Sequence, residues 1–421
     1  MSKVTFAILG MGNRGTKYAE KALVFPDRME VTAIADSRPV RTESANRFLH
    51  LPPEKIFSSG EEMLAAPKLA DIMVIATQDA QHRDHALAAL RKGYDLVLEK
   101  PIATTPEDCL AISEEAERLG RRVIVCHVLR YTVFYRAIKK LIDSGVLGKV
   151  EAINAEEQVG YYHYAHSYVR GNWHNREKSS PMILAKSCHD MDLFVWLTGR
   201  SCVSLNSYGS LDYFKAENCP EGAKERCTDG CEVPCPYHAA KFYLSRIPGW
   251  PANVLHPEPN EENILEALRT TDYGRCVFKM DNDVVDHQTT NLLMDDGCTV
   301  TFSMHGFTSR QTRTIHIFGT KGDLVGDSRT MTISLRPFGE PEQTMDLLSQ
   351  APERGGHGGG DRGLIEDVLC LCEGRDFDRS SLTVIGRSVE SHLMAFAAEE
   401  SRLSGGKAVD MKEYTERHRN H

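Results

Sequence analysis

Residues 4–10, VTFAILG, lead into Gly10-Met11-Gly12-Asn13-Arg14-Gly15 and then TKYAEKAL. The spacing is G-x-G-x-x-G between a strand pattern and a helix pattern. The first glycine suits a tight turn, the second lets backbone approach a pyrophosphate, and the third lets helix pack on strand. A helix N-terminus there offers unpaired N–H groups and a positive dipole end to phosphates. The next strand pattern, MEVTAIAD, ends at Asp36. A carboxylate about 20 residues past the turn can hold both hydroxyls of an adenine ribose. The expected ligand is NAD. NADP is less favoured because Asp36 repels a 2′-phosphate, although Arg38 and Arg41 oppose that.

SPMILAKSCHDMDLFVWLTG, Ser180 to Gly199, carries apolar residues at helical spacing and a glycine stop. One helix is expected, with Lys186 and His189 three apart on one face. A neutral histidine, with an ordinary pKa near ~6.5, can take a hydroxyl proton as a hydride leaves the same carbon. A nearby ammonium stabilises the developing alkoxide. His189 is therefore the expected base, with Lys100 and Lys186 polarising the hydroxyl. YYHYAHSYVRGNWHN, Tyr161 to Asn175, offers aromatic faces to a pyranose and polar groups to its hydroxyls. Tyr161, His163, Arg170, Asn172 and Trp173, with Arg130, are the expected substrate contacts. A glycine-rich run around His357, RGGHGGGDRG, has backbone that can approach a ligand or form a plain loop.

Cys219, Cys227, Cys231 and Cys235 follow C-x7-C-x3-C-x3-C, with Pro220, Gly222, Gly230, Pro234 and Pro236 letting the chain curl. Few large apolar residues lie between them, so a metal clip is expected to hold the segment. Zinc on four thiolates would be structural, with no open position. An iron–sulfur cluster is less favoured, and free or redox-active thiols are the alternative. Asp283, Asp286 and His287 read as a solvated turn rather than metal ligands.

These groups need a large scaffold. The chain has 421 residues, 41% hydrophobic and 26% charged, with a net charge of -9. That fits two globular domains and gives no basic field for nucleic acid or anionic membrane. No apolar run approaches the roughly 18 residues of a membrane span. The N-terminus lacks a signal peptide's apolar core, so the cytoplasm is expected. Strand patterns at ADIMVIATQ, YDLVLEKP and RRVIVCHV alternate with helix patterns at HRDHALAALRKG and PEDCLAISEEAERLG. The fold class expected is α/β: a doubly wound parallel sheet followed by an α+β domain with a large, mostly antiparallel sheet. Ligands lie beyond the carboxyl ends of such parallel strands. Thr77, Gln78, Glu99, Lys100, His127 and Arg130 should therefore face the cofactor, beside Gly10, Gly12, Asn13, Arg14, Gly15 and Asp36. The expected domains are residues 1–128 and 129–421, with a cysteine-rich insertion at about 212–262.

The segment from Ala76 to Thr105 resembles the glucose–fructose oxidoreductase/inositol dehydrogenase/rhizopine catabolism (Gfo/Idh/MocA) family. That family has T-P-N-x-x-H at one strand end and E-K-P at the next. Here the first is Thr77-Gln78-Asp79-Ala80-Gln81-His82, and the second is intact as Glu99-Lys100-Pro101. His189 and Asp192 match the family's second-domain motif, while Ala185 stands where its catalytic Asp belongs and Ser187 where a glycine belongs. The resemblance implies a nicotinamide-dependent oxidoreductase of a sugar, glycoside or polyol. It adds His82 and Pro101 to the cofactor set and implies that Lys100 reaches both the nicotinamide ribose and the substrate. It also implies homo-oligomers that pair through the second sheet. Two other readings fit the same scaffold: an NAD-dependent glycoside hydrolase working by transient oxidation, elimination and re-reduction, and a non-enzymatic nucleotide sensor.

Overall fold

The computed structural model describes residues 2–351 and 358–419. Six strands make the first sheet: β1 Val4–Leu9, β2 Met29–Ala35, β3 Ile56–Phe57, β4 Ile72–Ile75, β5 Asp95–Leu98 and β6 Val123–Val125. All pair in parallel, in the order 3-2-1-4-5-6. Helices cover both faces, so the strands read as near-continuous apolar runs; all four residues of β4 are buried. Strand order reverses between β1 and β4, which opens a crevice at their carboxyl ends.

Nine strands make the second sheet: β7 Val150–Gln158, β8 Cys202–Ser210, β9 His287–Met294, β10 Thr299–His305, β11 Thr312–Gly319, β12 Gly322–Asp327, β13 Thr332–Pro337, β14 Gln343–Asp346 and β15 Val409–Asp410. The order is 14-13-12-11-7-10-9-8-15, and among the described residues only β7 and β10 pair in parallel in this sheet. One face is covered and the other open, so burial alternates along β9, with Thr290, Leu292 and Met294 inside and Asn291 and Leu293 outside. The helix Ile385–Leu403 packs on β8 and on the helix Cys188–Thr198. One apolar cluster runs from Leu9 and Leu98 through Phe134 to Ile153 and Ile317, tying the two sheets together. The helix Gly360–Glu373 returns to the first sheet, where Leu364, Ile365 and Leu369 join Phe6 and Ile8.

Between β8 and β9 lies the cysteine-rich insertion. It has a small core of its own, made of Ala239, Tyr243, Ala252, Ile264 and Leu268, against which Cys227 packs, while Cys219 and Cys235 pack against the main cluster.

Two expectations are corrected. Residues 180–199 are not one helix: Met182–Ala185 ends at Lys186, and a new helix starts at Cys188. Lys186 and His189 therefore do not share a helix face. The aromatic segment from Tyr161 forms a helical turn, Tyr161–Tyr164, followed by a π-helical turn, Ala165–Arg170. Arg354 to His357 of the glycine-rich run lie outside the described residues.

Candidate active site at the junction of the two sheets

The glycine turn has the shape a dinucleotide requires. Gly10 has φ +87, and a Cβ there would stand 2.4 Å from the Ala76 carbonyl oxygen; one on Gly15 would stand 1.9 Å from the Gly10 oxygen. Gly12 differs, since a Cβ there would meet nothing nearer than Arg41 at 3.6 Å. The open glycine is the one whose backbone must approach a pyrophosphate. Asp36, at the end of β2, accepts from the Met11 and Arg38 N–H groups at 2.8 and 2.9 Å, with Arg41 Nη1 at 3.4 Å. The carboxylate is thus fixed beside the turn, and these residues fit a dinucleotide.

Arg14 and Glu99 hold each other. Arg14 Nε donates to Glu99 at 2.6 Å, and its Nη2 reaches Asp361 at 2.5 Å. Tyr18 and the Lys100 N–H also donate to Glu99. His82, at the start of its helix, is buried between the carbonyl oxygens of Pro101 and Thr77 at 2.7 and 3.2 Å. Both residues brace the strand ends from inside. Thr77 bonds His85, and Gln78 precedes the turn Asp79–Gln81.

Lys100 projects from the end of β5. Its ammonium donates to the Ala185 carbonyl at 2.7 Å and lies 5.9 Å from the centre of the Trp173 ring. Trp173 is anchored in turn by its Nε1, which donates to Asp79 at 2.9 Å; Ser179 also donates to Asp79. Asp79 occupies the second substituted position of the T-P-N motif, and the structure shows it holding this bracket.

The helix Cys188–Thr198 carries His189 and is clamped from both sides. Arg130 binds Asp192 in a two-pronged pair, both contacts 2.6 Å, with both side chains buried. Arg313 from β11 binds Asp190 at 2.8 and 3.2 Å and Glu157 of β7 at 2.5 Å. Burial pushes the Asp190 carboxyl up to about 6, against the pull of Arg313. Lys186, at the break between the two helices, lies 3.4 Å from Glu157. Burial lowers the Lys186 pKa and Glu157 opposes the shift, while Arg313 and Lys100 add to it.

His127, past the end of β6, meets His189 edge-on at 5.6 Å and His392 at 5.3 Å. Burial, then the charges of Arg130 and Lys100, hold His127 well below the ordinary histidine range. Burial likewise takes His392 to about 3. His127, the ring beside His189, and His392 behind it are therefore both neutral at neutral pH.

Of the expected substrate contacts, Trp173 alone stands against Lys100. Arg130 is spent on Asp192, so it braces the helix instead of reaching a ligand. Arg170 is buried and donates to the carbonyls of Arg275 and Tyr237 inside the insertion. Tyr161 packs against Tyr162 and Tyr237, and His163 bonds Gln311 and packs on Trp250. Asn172 is exposed. Sequence reading missed Glu157, Arg313 and His392, whose partners lie far off in the chain; no local pattern marks them. Asp286 is also no solvated turn residue, being buried and accepting from the Asp212 and Tyr213 N–H groups at 2.9 Å. Among the described residues no group of three or more His, Cys, Asp or Glu side chains converges closely enough to hold a metal ion, the four expected cysteines included.

Replacing Arg130 with methionine is expected to cost about 3–5 kcal/mol, because Asp192 would remain buried and unpaired. Urea unfolding checks this; a change below about 1 kcal/mol would mean that the pair does not hold the helix.

A parallel sheet with a dinucleotide turn, joined to a second domain built on a nine-stranded mixed sheet, is the architecture of an NAD-binding oxidoreductase. The chain belongs to the Gfo/Idh/MocA oxidoreductase family: the model of its NAD-binding Rossmann fold matches residues 4–127, and that of its C-terminal alpha/beta domain matches residues 139–370. A Bacillus subtilis protein named as the oxidoreductase YteT is 27% identical over 388 residues, covering 88% of this chain and 89% of that one. Inositol 2-dehydrogenase 2 of Saccharopolyspora erythraea is 25% identical over 211 residues, 49% of this chain and 57% of its own length. Among solved structures, an oxidoreductase domain protein from Kribbella flavida superposes with a TM-score of 0.72 at 16% identity, covering 98% of this chain and 100% of that one. The WlbA dehydrogenase of Chromobacterium violaceum, in complex with NADH and UDP-GlcNAcA, gives 0.68 at 17% identity, covering 97% and 96%. Among the described residues, no helix is long and apolar enough to cross a membrane.

Proposed function

We propose that this protein moves a hydride between a hydroxyl-bearing carbon of a sugar, glycoside or polyol and NAD. The observation that carries the reading is the meeting of Lys100, from the end of β5, with Ala185, four residues before His189. It sets the lysine of the nucleotide domain against the chain segment that bears the histidine of the second domain. The nicotinamide ring, when bound, accepts or returns the hydride.

His189 takes the hydroxyl proton at one imidazole nitrogen. Lys100 donates a hydrogen bond to the same oxygen and stabilises its growing negative charge. Lys186 adds positive potential from the Glu157 side. It stands next to the Ala185 position of the family carboxylate, so the charge at this wall is carried by a lysine–glutamate pair. Trp173 supplies an apolar face to the ring of the substrate. Asp36 selects NAD over NADP, and the boundary between nucleotide and substrate domains falls near residue 128.

Inositol relatives and the sugar-nucleotide complex of WlbA favour a polyhydroxylated substrate ring. A second copy of the chain is proposed to cover the open face of the nine-stranded sheet, where Tyr208 and Leu293 stand exposed. Twelve unpaired cysteines agree with a reducing, cytoplasmic setting. A zinc ion, rather than an iron–sulfur cluster, is proposed to staple the insertion without taking part in hydride transfer.

The test is absorbance near ~340 nm during incubation with NAD and a panel of inositols, aldoses and glycosides. A steady rise with one of them is the expected result. Nucleotide binding without a rise on any member would defeat the reading.

A further inference from the structure

We propose that Cys227, Cys231, Cys235 and Cys276, without Cys219, form the closed site for one thiophilic divalent cation such as zinc, with the buried Arg170 guanidinium as its counter-charge. This rests on the zinc reading above and changes its ligand set. Those four cysteines line one cavity of about 20 Å³ together with Arg170 and His238. That volume admits a single water-sized occupant.

The backbone brings the fourth cysteine in from far along the chain. The Cys227 N–H donates to the Gly274 oxygen, and the Cys276 N–H to the Glu225 oxygen, both at 2.9 Å. Arg226 and Arg275 thus form an antiparallel bridge that sets Cys227 beside Cys276. A cation there would tie the entrance of the insertion to its exit, around the helices that form its small core. The four sulfurs line one cavity but do not yet converge to ligand distance, so a bound cation would have to draw them inward.

The sulfurs differ in how they are hydrogen-bonded. Cys235 Sγ accepts from the Tyr237 N–H at 3.4 Å. Arg170 Nη2 points at Cys227 Sγ, 3.8 Å away. Sulfur is a weak acceptor as a thiol and a better one as a thiolate. Cys219 does the reverse: its sulfur is the donor, directed at the Pro220 oxygen at 3.9 Å.

Charge gives the independent argument. Arg170 is 3% exposed, and its remaining hydrogen bonds end on carbonyls. Among the described residues no carboxylate pairs with it. A buried, unpaired guanidinium is costly. Neutral thiols give it no compensation. A dication on four thiolates leaves a net negative charge beside the guanidinium, so each relieves the other. His238 does not replace a cysteine: its Nδ1 accepts from the Lys241 N–H, and its Nε2 meets the Cys231 oxygen at 3.2 Å.

The test uses the unmodified protein. Metal content is measured, then cysteines are alkylated in the folded protein with and without a chelator and mapped by peptide mass spectrometry. About one zinc per chain is expected. Cys227, Cys231, Cys235 and Cys276 should become reactive only after chelation, while Cys219 reacts in both samples. Protein purified without metal, and unable to take up added zinc, would overturn the site and the zinc reading together. Zinc present with Cys219 protected and Cys276 labelled would overturn this ligand set alone. Metal analysis of Cys276→Ser and Cys219→Ser gives the second measurement: loss in the first and retention in the second is expected, and the opposite pattern overturns the proposal.

Discussion

His189→Asn is expected to lower kcat by about 10²–10⁴-fold while leaving nucleotide affinity unchanged. The substitution keeps a polar side chain of similar reach but removes the group that carries the proton. His189 is 4% exposed and directly precedes two clamped acids on one helix. Asp190 is held by Arg313 from the second sheet, and Asp192 by Arg130 from the nucleotide side. The helix should therefore stay in place when the imidazole is lost, and the effect should fall on the chemical step. The neighbouring His127 is kept neutral by burial and by the charges of Arg130 and Lys100, so it offers a poor substitute base. Steady-state kinetics beside a nucleotide titration decides the matter. A kcat within about threefold of the parent would move the base elsewhere, with the Lys186–Glu157 pair first in line.

Lys100→Met should remove about 10²–10³-fold from kcat. Methionine matches the length of the stem but not the charge. The ammonium in the parent is oriented by the Ala185 carbonyl at 2.7 Å and by the Trp173 ring. Under the proposed reaction it would meet a developing alkoxide without reorganising. Lys100→Arg is expected to rescue little, because a planar guanidinium cannot occupy the site of a compact ammonium. A Lys100→Met protein whose loss lies wholly in KM would show that the lysine only binds substrate.

Local pattern made much of this chain legible. The parallel sheet follows from apolar runs broken by glycine stops, such as the strand Ile72–Ile75 and the helix His82–Arg91 closing at Gly93. The glycine turn and Asp36 could be read because their partners lie within about 25 residues along the chain and obey one known geometry. The substrate wall was less legible. Arg130 and Arg170 have the right chemistry for hydroxyls, yet each is used inside the protein. Whether an arginine faces a ligand or a carboxylate depends on what the fold brings opposite it.

The sequence by itself determined the doubly wound nucleotide sheet, the position of Lys100 at a strand end and the presence of His189 on a helix. Periodicity and turn chemistry act over a few residues, and those features need nothing more. Only the tertiary structure decided that Lys186 lies at a helix break beside Glu157, that Arg313 reaches Asp190 across 123 residues, and that Cys276 rather than Cys219 joins the cavity of the insertion. Each is a contact between groups far apart in the chain. Buried charges and thiols find their partners only when the two sheets and the insertion have packed, and no local spacing encodes that meeting.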